Sequence, residues 1–194
     1  ISHRNKLEKI AREYQANTGN YIRPICLIQV ERTGKDQRTP QYIHAEDVRE
    51  ELIKHGVPEH HIAIKTSQKD ELKEIDDTDG LLSEKTQIRY IITKQALQEG
   101  WDCAFAYVLV VLTNPASKNA LTQLVGRILR QPGARKTKIR ELDESYVFCF
   151  KQKANELLRN IRDGFNREGL GDLKSQIVHD LEGAEEAGEQ PERL

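Results

Sequence analysis

Five short apolar runs constrain this chain more than any other feature: RPICLIQVERT (23–33), HHIAIKT (60–66), IRYIIT (88–93), AYVLVVLT (106–113) and SYVFCF (145–150). They are rich in β-branched residues, which favour strands. Several are nearly continuously apolar rather than alternating. A strand of that kind is covered on both faces, as in a parallel sheet. Between them lie helical patterns. Residues 2–19 carry Leu7, Ile10 and Tyr14 at helical spacing and end at NTGN, a stop signal. AEDVREELIKHG (45–56) has acids early, a lysine late and Gly56 as its stop. Further helices are predicted over 118–130, over KQKANELLRNIRDG (151–164) and in LKSQIVHDLEG (173–183). Strands alternating with helices imply an α/β domain with a mainly parallel sheet. SQKDELKEIDDTDGLLSEKT (67–86) reads as one helical turn plus loop, and EGAEEAGEQPERL (182–194) as a flexible acidic tail.

The length of 194 residues suits one domain plus a tail. The predicted organisation is an N-terminal helix connecting from an upstream domain (1–20), the α/β domain (21–165), and a C-terminal helix with the acidic tail (166–194). No apolar run approaches a membrane span, and the polar, helix-patterned start ISHRNKLEKIAREY is unlike a secretory signal. A cytoplasmic location and no membrane partner are expected. Cys26, Cys103 and Cys149 are odd in number and far apart; Cys26 and Cys149 lie in strand-like runs, which predicts reduced, buried, structural thiols. No cysteine–histidine cluster suggests a metal site, and the His60–His61 pair reads as a solvated or capping element before a strand. There is no methionine, even at position 1, so the chain is expected to be part of something larger.

The net charge of −1 says little, but its distribution says more. Residues 123–140 hold six basic side chains and no acidic one, whereas residues 67–84 hold seven acidic and two basic. The basic block contains LTQLVGRILRQPG (121–133). At about 100° per residue, Leu121, Leu124, Val125, Ile128 and Leu129 form one apolar stripe. Gln123, Gly126, Arg127 and Arg130 share the opposite side. A helix-interior glycine costs about 1 kcal/mol against alanine. On a polar face, between Gln123 and Arg130, it suggests close approach by a ligand or another domain. Arg127 and Arg130 are neighbours at i, i+3, so two permanently charged forks can meet one polyanion. A solvated helix face carrying a chance glycine is the alternative.

In parallel sheets, ligands bind beyond the carboxyl ends of the strands. After the run IRYIIT comes TKQALQEGWD (93–102), with Gly100 and Asp102 in a turn. An acid there can accept hydrogen bonds from ribose hydroxyls; a capping aspartate beside a buried Trp101 is the alternative. Thr66 and Ser67, after the run HHIAIKT, are possible phosphate contacts, or caps.

The order of strand, EGWD, strand, then QxxGRxxR resembles motifs V and VI in the second RecA-like domain of superfamily-two helicases and translocases. RPICLIQVERT stands where motif IV would. The closer resemblance is to the ATP-dependent Res subunit of type III restriction enzymes, on ALQEGWDCAFAYVLVVL and QLVGRILRQPGARKT. The similarity covers roughly residues 20–150 and is strongest over 88–133.

The resemblance implies a RecA-like, mainly parallel sheet flanked by helices. It implies that Arg127 and Arg130 reach across an interdomain cleft to the γ-phosphate of ATP and stabilise transition-state charge. Gln123 then couples the nucleotide and nucleic-acid sites, Gly126 admits the helix to the cleft, and Asp102 lies near the ribose in a loop shaped by Gly100. Thr93 resembles the motif V threonine that touches the nucleic-acid backbone, with nine positions from Thr93 to Asp102, one more than in many relatives. Thr66 and Ser67 join the nucleic-acid side.

The chain has no GxxxxGK[ST], TGK (33–35) is no phosphate loop, and no acid pair follows a strand in a way that would hold Mg²⁺. ELK (71–73) and DLK (172–174) have a nuclease-like local pattern but lie on no convincing strand, and they read as surface charge. ATP with Mg²⁺ is therefore expected to be held by an upstream RecA-like partner domain. The implied substrate is double-stranded DNA, and a methyltransferase subunit is a further expected partner. Two other readings stay open: an ATPase-inactive module that docks nucleic acid or a protein, and the motor domain of a repair or RNA helicase.

Overall fold

The computed structural model describes residues 1–31, 42–66, 68–73, 75, 80–94, 105–112, 136–149, 159 and 163. Helix α1 (Ser2–Thr18) leads to strand β1 (Ile25–Gln29), helix α2 (Ala45–Lys54), strands β2 (Ile62–Lys65), β3 (Tyr90–Thr93) and β4 (Ala106–Val111), a single turn α3 (Arg140–Asp143), and strand β5 (Tyr146–Cys149). All five strands are parallel, in the order β2-β3-β1-β4-β5. This is the α/β, parallel-sheet fold class that the apolar runs imply, with helices packed against it.

The core follows from those runs. Every residue of β1 and β3 is buried, and Ile25, Leu27, Ile91, Ile92 and Leu109 are fully enclosed. Burying each such side chain contributes about 1.5–3 kcal/mol. Helix α1 lays Leu7 and Ala11 into this core, with Ile10 and Tyr14 packed at its margin. It stops at Gly19, whose left-handed φ of 73° lets its N–H close onto the Gln15 carbonyl at 2.8 Å. Helix α2 starts on a residue outside the usual capping set. The ring of fully buried His44 accepts the Glu46 N–H at 3.1 Å, and the Asp47 carboxylate accepts the His44 N–H at 3.3 Å.

Two expectations are corrected at the sheet's edges. The run SYVFCF is predicted to be a buried strand, yet β5 has a neighbour on one side only and is half-buried, with Phe148 45% exposed. Cys149 is accordingly half-buried, whereas Cys26, on the central strand, is buried as expected; both thiols are free. ELK (71–73) is not simple surface charge. The chain after β2 turns back on itself and forms an antiparallel bridge between Lys65 and Asp70. Glu71 N–H donates to the Ile64 carbonyl at 3.1 Å, and its carboxylate accepts the Ile64 N–H at 2.7 Å. Leu72 is fully buried. The same carboxylate pairs with Arg49 and with Lys69 (3.0 Å), and Lys69 also reaches Glu46 at 2.8 Å. The outer edge of β2 is thus closed by its own chain and stapled to α2, which answers the exposed backbone of an edge strand.

Arg23 organises the approach to β3. It is 1% exposed and donates to Tyr21 Oη and to the carbonyls of Leu81, Ser83 and Thr86.

Candidate functional site at the carboxyl edge of the sheet

Because the strands are parallel, their carboxyl ends form one row. Lys65, Thr93, Gln29, Val111 and Cys149 are successive register partners across β2, β3, β1, β4 and β5. Three of the five are polar, while the two preceding rows are apolar throughout. The chain leaves β1 toward β2 but leaves β4 toward β5. Between their carboxyl ends lies the topological switch point, where open α/β sheets hold ligands.

Thr93 ends β3 beside this point and is 4% exposed. Its carbonyl accepts the Val30 N–H at 2.8 Å, and the Gln29 carbonyl accepts the Leu112 N–H at 3.0 Å. Register places the Thr93 and Gln29 side chains on one face. Gln29 is 8% exposed, and its Oε1 is buried without a hydrogen-bond partner among the described residues. A buried amide oxygen left this way costs about 1–3 kcal/mol. Such an orphan at a switch point fits a donor brought by a ligand or a partner domain. Sequence reasoning passed over Gln29; its signal was a lone amide inside an otherwise apolar strand.

Thr66 follows β2. Its Oγ1 accepts the N–H groups of Gln68 (3.3 Å) and Lys69 (3.1 Å) and donates to the Lys69 carbonyl at 3.3 Å. The hydroxyl therefore caps the turn that starts the return along β2. Beside it, Lys65 pairs with Asp70 at 2.8 Å. Burial raises the Asp70 pKa, but the hydrogen bond from Lys65 and backbone N–H groups outweigh it and hold the carboxyl below its ordinary value.

Of the nine residues singled out from sequence, Thr66 and Thr93 are described and share this edge. Ser67, Gly100, Asp102, Gln123, Gly126, Arg127 and Arg130 lie outside the described residues, as do TGK (33–35), DLK (172–174), the helices predicted over 118–130 and 173–183, all but residues 159 and 163 of the one predicted over 151–164, and the acidic tail. Where those segments start is described: TKQALQEGWD begins at Thr93, the last residue of β3, and the basic block of residues 123–140 follows β4 in the sequence. Among the described residues, no group of three or more His, Cys, Asp or Glu side chains could hold a metal ion. No helix among them is long and apolar enough to cross a membrane. His60 and His61 form a short 3-10 turn leading into β2, with rings 4.5 Å apart. Burial, then the neighbouring His60, keeps the His61 pKa below its ordinary value.

No family profile matches the chain, and no curated protein matches it. The solved structures to which it is similar include helicase C-terminal domains and an ATP-dependent restriction-modification enzyme. The C-terminal domain of Saccharomyces cerevisiae Dbp5, bound to Gle1 and IP6, is 19% identical with a TM-score of 0.44, over 84% of this chain and 81% of that one. Another structure of the C-terminal domain of the DEAD-box protein Dbp5 is 16% identical with a TM-score of 0.42, over 88% of this chain and 92% of that one. The Type ISP restriction-modification enzyme LlaBIII, bound to DNA, is 15% identical with a TM-score of 0.41 over 77% of this chain; the chain spans 10% of that enzyme. At these values the likeness assigns no activity, substrate or partner.

Proposed function

We propose that this chain is the second RecA-like domain of an ATP-dependent superfamily-two nucleic-acid motor, most like the Res subunit of a type III restriction enzyme. One observation carries the reading. The segment holding Gly100 and Asp102 starts from the carboxyl end of β3, the segment holding Gln123, Gly126, Arg127 and Arg130 follows β4, and these two strands flank β1 in one parallel sheet. Motif order along the sequence therefore becomes a shared origin at one edge, beside the switch point.

In this reading Arg127 and Arg130 supply positive charge to the γ-phosphate, where transition-state charge develops. Asp102 meets the ribose, Gly100 shapes its loop, and Gly126 lets the helix approach. Gln123 couples nucleotide and nucleic-acid sites, and Thr93, with Ser67 and Thr66 in lesser roles, faces the nucleic-acid backbone. ATP and Mg²⁺ are held by a phosphate loop and acids on an upstream domain. The parent moves along double-stranded DNA, with a methyltransferase subunit as a further partner.

The test is ATP hydrolysis by the parent protein with and without double-stranded DNA, beside this chain alone. The reading expects DNA-stimulated turnover by the parent and none by the chain, which has no GxxxxGK[ST]. A parent that hydrolyses no ATP with or without DNA leaves only a docking module. Stimulation by RNA in place of DNA transfers the reading to an RNA helicase.

A further inference from the structure

At the opposite, amino edge of the sheet, α1 carries a cluster that the motor reading leaves unused. Arg4 lies over the Tyr90 ring at 5.4 Å and reaches the Pro24 carbonyl, just ahead of β1. Arg89 precedes β3. Both converge on Glu8: Arg4 Nη1 meets Oε2 at 2.7 Å and Arg89 Nε meets Oε2 at 3.0 Å, while Arg12 Nη2 meets Oε1 at 3.1 Å. Both oxygens of the lone carboxylate are engaged by three guanidinium groups.

Outward from this cluster, Arg4, Asn5, Glu8, Lys9 and Arg12 line an open concavity of about 280 Å³. Asn5, Glu8, Lys9 and Arg12 fall on one helix face at about 100° per residue, away from the Leu7–Ala11 stripe in the core. The exposed Asn5 accepts from Arg4 Nη2 at 2.6 Å through its Oδ1, which leaves its amide N–H groups as its remaining polar capacity. Arg12, with its side chain 74% exposed, uses one nitrogen on Glu8. Lys9 is exposed and makes no ion pair among the described residues. The concavity thus presents donors and three cations, Arg4, Lys9 and Arg12, against one carboxylate both of whose oxygens are already engaged. Cations and N–H donors in such excess match phosphoryl oxygens, which accept hydrogen bonds and carry negative charge.

We infer that this face of α1 is a phosphate-binding site, separate from the ATP reading at the carboxyl edge. It takes phosphoryl oxygens either from a nucleic-acid backbone or from a small polyphosphate. The measurement uses the 194-residue chain, titrated with pyrophosphate by calorimetry and with a fluorescent duplex oligonucleotide by anisotropy. Three proteins are compared: wild type, Lys9→Glu/Arg12→Glu, and a matched reversal elsewhere on the surface, Lys54→Glu/Lys73→Glu. Circular dichroism checks that each is folded. The inference expects at least one ligand to bind wild type, with affinity reduced on the order of tenfold in the α1 variant and little changed in the matched one. If the oligonucleotide is that ligand, the salt dependence of its binding also falls by about two in slope. Loss with the oligonucleotide alone identifies a backbone phosphate, and loss with pyrophosphate also identifies a free phosphate. No binding of either ligand to wild type overturns the inference, as does equal weakening in the two variants.

Discussion

Replacing Arg23 by leucine tests how the connection into β3 is held, and so how Thr93 is placed. The guanidinium donates to Tyr21 Oη at 3.0 Å, to the Ser83 and Thr86 carbonyls at 2.7 and 2.6 Å, and to the Leu81 carbonyl. It also lies 5.7 Å from the ring centroids of Tyr21 and Phe105. Leucine fills part of the space and donates nothing. Leu81 and Thr86 are 7% and 8% exposed, so water does not readily replace the lost donor there. Each stranded carbonyl costs about 1–3 kcal/mol, and the lost ring contacts cost about 1 kcal/mol. Relief from burying a charge offsets part of this. The expected net loss is about 4 kcal/mol, a large share of the roughly 5–15 kcal/mol that holds a domain together. Urea unfolding measures it, and hydrogen exchange should show the amides of Arg89–Thr93 losing protection first. Arg23→Lys should recover little, since one ammonium nitrogen cannot stand at both Nη1, which serves Tyr21, Ser83 and Thr86, and Nη2, which serves Leu81. A loss below about 1 kcal/mol for Arg23→Leu, with unchanged protection in β3, refutes the reasoning.

Other outcomes follow from the same contacts. Burial raises the Glu71 pKa, but the Ile64 N–H, Arg49 and Lys69 outweigh it and hold the carboxyl below 4.5. Its stabilisation is therefore complete above about pH 4.5 and is lost as pH falls through the lower folded value. Glu71→Gln should cost about 1 kcal/mol at pH 7, after solvent screening, and lessen the acid sensitivity; an unchanged acid limb contradicts the pairing. His3 packs 4.1 Å from Tyr146, and its buried Nε2 has no hydrogen-bond partner among the described residues. Burial, then Lys6 and the terminal ammonium, lowers its pKa below 6.5, so stability is full above pH 6.5 and declines as pH drops below it. His3→Phe should flatten the stability profile between about pH 7 and 5, and parallel profiles for the two proteins would sink the idea. Burial pushes the Cys26 thiol up to about 12, so native alkylation near neutral pH should spare it; rapid labelling there, read by mass spectrometry, contradicts its placement.

The strands were legible because each carries its own local signal. IRYIIT and AYVLVVLT became β3 and β4 almost to the residue, and NTGN ended α1 through Gly19. Strand order was not legible. Burial on both faces says that Ile91 and Leu27 sit inside a sheet, not that they are register partners. The corrected features share one cause, which is partnership across sequence distance. Glu71 looks like surface charge until the chain folds back and Arg49, 22 positions away, meets it. Arg23 reads as an ordinary flank until the loop 58–63 positions ahead wraps around it. His44 caps a helix through a ring nitrogen, a use that the common capping residues do not suggest. At the site, the motif spacing named the segments that leave β3 and β4, whereas Gln29 needed the sheet before its orphaned oxygen could be noticed.

The central claim is that Arg127 acts on the γ-phosphate in an ATP site completed by another domain. Steady-state ATP hydrolysis by the full-length parent, in saturating double-stranded DNA, should be compared between wild type and Arg127→Ala. The account predicts a fall in kcat on the order of 10³-fold or more, with DNA binding largely retained. A kcat near the wild-type value would contradict it.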